Sequence, residues 1–276
     1  MELRGKVVVI TGANIGIGRA VAEDLAGRGA RLRLLCRSLD KAQPVIADLR
    51  ARAGHDDVLA IACDLGSLSS VRTAATELLA RDEPLHVLVN NAGVAGQRGL
   101  TSDGFELHIG VNHLGHFLLT NLLLARLQSS APARIVHVAS GSHFKAKGLD
   151  WDAMRKPTAS ISGLPEYAAS KLGNVLFCAE LARRLEGTNV TTYAVNPGRV
   201  ASNIWQRLPW PIRPLFKLTM LTTQEGAFST IRAASDLDGE SGRYYDKRAR
   251  EQVASAPGRD MALASELWSR SEAWVA

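Results

Sequence analysis

The chain is 276 residues long, 46% of them apolar and 22% charged, with a formal net charge of +6. That is enough apolar material for a full core, and no apolar run reaches the ~18 residues that suggest a membrane span. The basic residues are dispersed and form no basic arm, so the positive balance reads as a solvated surface plus a pocket for a phosphorylated cofactor, with no nucleic-acid partner.

The chain enters an expected strand, Lys6–Thr11, almost at once, which leaves no room for a signal peptide in front of it. Further strands are expected at Arg31–Cys36, Val58–Ala62, Leu85–Asn90, Arg134–Ala139, Val190–Val195 and, shorter, Gly242–Tyr245. Helical patterns lie between them, among them Arg19–Ala26, Val71–Ala80 and Leu118–Leu127. Uniformly apolar strands alternating with helices predict a parallel sheet covered on both faces, hence an α/β, doubly wound Rossmann domain of about seven strands. No linker or repeat splits residues 1–276, so one domain is expected. Two segments break the rhythm on the ligand side of the sheet: a polar insertion at about 141–164, and 199–221, which carries Trp205, Trp210 and Phe216 among prolines. The second is expected to be a lid over the substrate, a membrane-surface contact or part of the core. Cys36, Cys63 and Cys178 are widely spaced, which suits reduced thiols in a cytoplasmic protein and no metal site.

Thr11-Gly12-Ala13-Asn14-Ile15-Gly16-Ile17-Gly18 sits between the first strand and the first helix. A glycine-rich turn in that place lets backbone approach a pyrophosphate, which the helix N-terminus then faces with unpaired N–H groups. At the end of the second strand, where NAD-preferring sites offer Asp or Glu to the ribose diol, this chain has Cys36 and then Arg37. A guanidinium there suits a 2′-phosphate, so NADP(H) is the expected cofactor, with Arg19 adding positive potential.

Tyr167 and Lys171 are four residues apart in a helical pattern and so share a face. An ammonium beside a phenol favours phenolate and lowers the tyrosine pKa, as proton transfer requires. Such pairs also occur on helices that do no chemistry. Ser140 closes the fifth strand and can hydrogen-bond a carbonyl oxygen; Ser142, two residues on, competes for that part. Asn90-Asn91-Ala92-Gly93 follows the fourth strand, and Asn112 stands inside a helical stretch where asparagine is a poor fit.

These motifs, with Asn196-Pro197-Gly198, resemble the short-chain dehydrogenase/reductase family over almost the whole chain. Val111–Thr120, Ser170–Phe177 and Thr191–Val195 look like its retinol dehydrogenase branch. The resemblance implies an oxidoreductase that moves a hydride between NADP(H) and a lipophilic alcohol, aldehyde or ketone. It makes Tyr167 the general acid/base, Lys171 its activator and a cofactor-ribose ligand, Ser140 the group that polarises the carbonyl, and Asn112 the holder of a relay water. It puts Gly12, Asn14, Ile15, Gly16, Ile17 and Gly18 on the pyrophosphate, and Arg37, Asp64 and Leu65 on the adenosine. Asn91, Ala92 and Gly93 join the adenosine side, and Pro197, Gly198, Val200 and Ser202 the nicotinamide side. It also implies a homodimer or homotetramer through the long helices near Asn112 and Tyr167. The long separation between Ser140 and Tyr167 implies extra residues over the site, Phe144 and Trp151 among them. The membrane-bound members of that branch carry an apolar N-terminal anchor that this sequence lacks. A non-catalytic regulator that senses NADPH is the competing reading.

Overall fold

The computed structural model describes residues 2–200 and 220–276. Its first half runs β1 (Val7–Thr11), α1 (Gly16–Gly27), β2 (Arg31–Cys36), α2 (Leu39–Ala53), β3 (Val58–Ala62), α3 (Leu68–Ala80) and β4 (Val87–Asn90). A single turn α4 (Leu107–Ile109) follows, then a π-helical turn at Gly110–Leu114 and α5 (Gly115–Ser129). The second half holds β5 (Ala133–Val138), α6 (Leu164–Arg184), β6 (Val190–Val195), α7 (Thr223–Ser235), β7 (Tyr244–Tyr245) and α8 (Met261–Val275). The strands form one parallel seven-stranded sheet in the order β3-β2-β1-β4-β5-β6-β7. The order reverses between β1 and β4, and a crevice opens beyond the carboxyl ends of strands at such a point.

The sequence dictates this through burial. All five residues of β1 are buried, because helices cover both faces of the sheet. On one face β1, β2 and β4 pack against α1, α2 and α7 through Val8, Ile10, Leu25, Leu32, Leu49 and Ala234. On the other, Val9, Leu88, Leu78, Leu119 and Phe177 join the sheet to α3, α5 and α6. Side-chain caps fix where helices start: Ser38 for α2, Ser67 for α3, a reciprocal Thr222–Glu225 box for α7 and Asp260 for α8.

Helix α8 closes the second face. Trp268 is nearly buried, with ring-centroid distances of 5.0 Å to Phe117 and 5.7 Å to Phe177. It therefore covers part of the α5 and α6 surface through which a homodimer or homotetramer was expected to form. The same helix takes up Trp151. That ring lies 6.3 Å from Trp274 and under the Arg270 guanidinium, and packs with Leu172 and Leu176. Trp151 is thus core filling between α6 and α8, a correction to its expected place over the site.

Strand boundaries shift by a residue or two for local reasons. The β4 strand begins at Val87; before it, Leu85 N–H donates to Ser130 Oγ (3.0 Å), and His86 Nδ1 accepts from Val7 N–H (3.1 Å) while its backbone still bonds Val7 and Arg134. Strand β7 starts only at Tyr244, after Gly242 turns the chain at φ +84°. Nor are the strands uniformly apolar. Arg33 in β2 is 1% exposed. Its guanidinium bonds Glu83 through Nε (2.6 Å) and Asp57 through Nη1 (2.7 Å), while Arg31 contacts both carboxylates. Burial pushes the Asp57 carboxyl up, but hydrogen bonds from Arg33 and Arg31 outweigh it and hold it below the usual range.

Removing Glu83 would leave the buried Arg33 with only the more exposed Asp57 as its counter-charge. Glu83→Ala should lower the unfolding free energy by about 3 kcal/mol or more, whereas replacing the pair together (Arg33→Met with Glu83→Leu) should recover most of that loss. Urea denaturation of the three proteins checks this; a Glu83→Ala cost within about 1 kcal/mol, as at exposed pairs, refutes it.

Candidate active site

The glycine turn has the shape that a bound phosphate requires. Gly12 and Gly16 sit at φ +66° and +59°. A Cβ on Gly18 would lie 2.4 Å from both the Gly12 carbonyl oxygen and Asn91 Nδ2, so helix and turn meet there with no room for a side chain. Helix α1 starts at Gly16, after an N-cap Ile15 that offers no side-chain cap, and has no acidic residue in its first turn. Its leading N–H groups and positive dipole end are left for an anion. These residues fit a dinucleotide pyrophosphate. Asn14 and Ile17 are partly exposed along the same turn, and Ile15 is exposed.

On the adenosine side, the Cys36 thiol at the end of β2 accepts hydrogen bonds from the backbone N–H groups of Ala13 and Asn14. Arg37 follows, exposed and with no hydrogen-bond or ion-pair partner among the described residues. Arg19 is different. Its Nε bonds Glu23 (2.8 Å) and its Nη2 bonds Asp48 (3.1 Å). Two carboxylates neutralise it, so the extra positive potential expected from Arg19 is cancelled locally. Asp64, exposed beyond β3, turns its Oδ1 back to accept from Gly66 N–H (2.9 Å), and Leu65 is buried beside it.

The ends of β1 and β4 are joined by Thr11, whose Oγ1 accepts from the N–H groups of Asn91 and Ala92 (both 2.9 Å). Asn91 Nδ2 returns a bond to the Thr11 carbonyl (2.8 Å). Gly93 comes next; a Cβ there would stand 3.1 Å from Asn112 Oδ1 and 3.6 Å from Lys171 Nζ. The turn after β4 therefore borders both halves of the site.

Asn112 sits in the π-helical turn Gly110–Leu114, an irregularity that suits a residue of poor helix propensity. Its amide is fully engaged: Oδ1 accepts from Val94 N–H (2.8 Å), and Nδ2 donates to Val94 O (3.0 Å) and Ser170 Oγ (2.9 Å). The side chain is a clamp between the β4 turn and α6, and the residue's backbone carbonyl makes a further bond. That carbonyl accepts from His116 Nδ1 (3.0 Å), and His116 Nε2 faces Thr11 Oγ1 (2.9 Å). A carbonyl only accepts, so Nδ1 carries the proton and Thr11 donates to Nε2. Burial pulls the His116 pKa down to about 4, in keeping with a neutral ring. Sequence reasoning passed over His116; its signal was a second histidine one helical turn after Asn112.

Ser140, Tyr167 and Lys171 converge at the carboxyl end of β5. Tyr167 and the Ser140 side chain share a hydrogen bond. Lys171 Nζ donates to Val138 O (2.8 Å) and lies 5.7 Å from the centre of the Tyr167 ring. The expected depression of the phenol pKa is not found. Burial raises it, and the Ser140 bond only partly offsets this. The Lys171 charge is directed at the Val138 carbonyl. Burial instead pulls the Lys171 ammonium down to about 8. Ser142 is subordinate to Ser140: its N–H donates to Ser140 Oγ (3.1 Å).

Beyond β6, Pro197 is buried, and Gly198, at φ +80°, donates its N–H to Asn196 Oδ1 (2.9 Å). Val200 is buried against Gly226. Ser202, Trp205, Trp210 and Phe216 lie outside the described residues. Phe144 is 46% exposed beside the Ser140 turn.

The Lys171 shift has a stability consequence. Its folded pKa of about 8 lies below its unfolded value. Between the two, the unfolded chain binds more protons, so stability rises with pH; below about pH 8 both states are charged and the burial penalty is constant. Lys171→Met should be more stable than the wild type at pH 7, and this advantage should shrink by on the order of 3 kcal/mol as the pH approaches 10. Denaturant melts of both proteins across that range test it; a constant gap refutes it.

A sequence profile of the short chain dehydrogenase family matches residues 6–151. Retinol dehydrogenase 11 of Homo sapiens is 43% identical, over 98% of this chain and 86% of that protein. Dehydrogenase/reductase SDR family member 13 of Bos taurus is also 43% identical, over 98% of this chain and 73% of its own. Among solved structures, an uncharacterized protein from Mycobacterium Paratuberculosis superposes with a TM-score of 0.78 at 33% identity, covering 99% of this chain and 96% of that one. With the glycine turn, the serine–tyrosine–lysine group and the sheet order already in hand, these likenesses settle the family: the chain is a retinol dehydrogenase-like member of the short-chain dehydrogenases.

Proposed function

We propose that this protein is an NADP(H)-dependent oxidoreductase that moves a hydride between the nicotinamide and a lipophilic alcohol, aldehyde or ketone. The observation that carries the reading is the meeting of Ser140, Tyr167 and Lys171 at one strand end, next to the turn that borders the glycine cradle. The cofactor, when bound, supplies or takes the hydride; the chain handles the proton. Tyr167 gives its phenolic proton to the oxygen of a carbonyl substrate, or takes one from an alcohol. Ser140 hydrogen-bonds that same oxygen and holds it in line. Lys171, charged below pH 8, stabilises the phenolate left behind and bonds the cofactor ribose. Asn112 fixes Val94 and Ser170 beside Lys171, and its carbonyl holds the water that returns a proton to the lysine.

The NADP preference is supported by the unpartnered Arg37 and by Cys36 standing where an acidic residue would repel a 2′-phosphate. A lipophilic substrate is supported by the exposed ring of Phe144 beside the Ser140 turn and by the retinol dehydrogenases among the relatives. No helix among the described residues is long and apolar enough to cross a membrane, and a cytoplasmic location is part of the proposal.

NADPH consumption over a panel of aldehydes, ketones, steroids and retinoids is the direct test. Binding of NADPH without turnover of any of them would favour the non-catalytic regulator. Tyr167→Phe should lower turnover at least ~100-fold, the scale of a lost general acid, with cofactor affinity kept; near-wild-type turnover rejects the mechanism. Arg37→Ala should remove a preference for NADPH over NADH of ~1.5–3 kcal/mol, as for a charged hydrogen bond. Equal use of both cofactors by the wild type rejects the part given to Arg37.

A further inference from the structure

The 3-10 turn that follows Ser140 runs Gly141–Lys145 and contains a histidine that the proton-transfer scheme does not use. His143 is completely buried. Its Nδ1 lies 2.7 Å from the Ser140 carbonyl oxygen, and its Nε2 accepts from the backbone N–H of Ser255 (3.2 Å), which is 112 residues away in the chain. The chemistry of the two partners fixes the tautomer. A carbonyl cannot donate, so Nδ1 bears the proton; a backbone amide cannot accept, so Nε2 is bare. The ring is held between Phe144 (4.1 Å) and Tyr244 (4.6 Å), which set its plane. Ser255 is itself anchored, its Oγ accepting from Gly258 N–H (3.2 Å). Gly258 in turn packs toward Val175 on α6, the helix that bears Tyr167 and Lys171.

We propose that His143 is a positioning residue for the reaction: a neutral strut that locks the backbone of Ser140 to the Ser255 turn, so that the serine hydroxyl stays on the substrate oxygen beside Tyr167. The inference rests on the oxidoreductase reading given above. It follows from rigidity. Ser140 is the last extended residue before a short 3-10 turn, at φ −169° and ψ 152°. The 3-10 turn alone gives its carbonyl one long bond, from His143 N–H at 3.2 Å. The imidazole adds a shorter one and ties it to an element that no neighbouring residue can supply. Misplacing a catalytic group by an ångström is enough to cost a large factor in rate.

The test compares His143→Leu, which can make neither bond, with His143→Gln, whose single amide can donate to Ser140 and accept from Ser255. Steady-state kinetics with NADPH and a reactive aldehyde, dinucleotide affinity by fluorescence, and amide exchange at Ser255 are measured for both. His143→Leu should lose about 10- to 100-fold in turnover, the scale of a misplaced reacting group. Its dinucleotide affinity should be unchanged and its Ser255 amide should exchange faster. His143→Gln should restore most of the rate. A His143→Leu enzyme of normal turnover overturns the proposal. So does one that loses dinucleotide affinity in step with rate, or a His143→Gln variant as slow as the leucine one. Nitrogen NMR of the wild type, which needs no variant to fold, should find His143 protonated at Nδ1 and bare at Nε2; the opposite tautomer overturns the strut. A wild type that binds NADPH and reduces nothing overturns the oxidoreductase reading itself, whereas unchanged Ser255 exchange in His143→Leu overturns the strut alone.

Discussion

Three segments of the chain meet on one hydroxyl. Thr11 Oγ1 takes the N–H groups of Asn91 and Ala92 on its oxygen and directs its own proton to His116. Each of those groups is buried or half-buried, and a backbone N–H without a partner there is costly. The bond set therefore ties the ends of β1 and β4 at the point where the strand order reverses, and ties both to the first turn of α5. The glycine cradle extends from one end of this junction and the Asn112 turn from the other. Their relative placement follows from a single side chain that neither motif contains as its catalytic or phosphate-binding element.

The sheet was legible because parallel strands covered on both faces must be apolar along their length, and short apolar runs are easy to find in a chain. The glycine turn, Ser140, Tyr167 and Lys171 were legible because their spacing puts them at strand ends or on one helix face. What escaped were groups whose meaning lies in a distant partner. Arg33 breaks the apolar pattern of β2, and only the fold reveals Glu83 and Asp57 waiting for it. His116 and His143 look like ordinary residues of a helix and a loop until Thr11 and Ser255 arrive. Trp151 was misread because nothing in its own segment announces that α8 will fold over it. The sign of the Tyr167 shift was misread because a spacing argument counts the neighbouring charge and not the loss of water around the phenol.

That loss of water is shared across the site. Tyr167 is 8% exposed and Lys171 4%, so phenol and ammonium are both pushed toward their neutral forms. Burial thus moves the two affinities for a proton apart, the phenol above its ordinary value and the ammonium below its own, so that each group resists the charge the other would need. The stability forgone in burying them is recovered elsewhere, in the dry cores on both faces of the sheet.

The position of α8 also bears on how the molecule is made. Trp268 completes a layer begun by Phe117 and Phe177, yet the ribosome adds it long after both. Once α5 and α6 are made, their aromatic side chains lack this cover until the last helix follows. Both faces wait on late helices, the first on α7 and the second on α8. Apolar surface left open in this way during elongation is what makes an incomplete chain prone to aggregate.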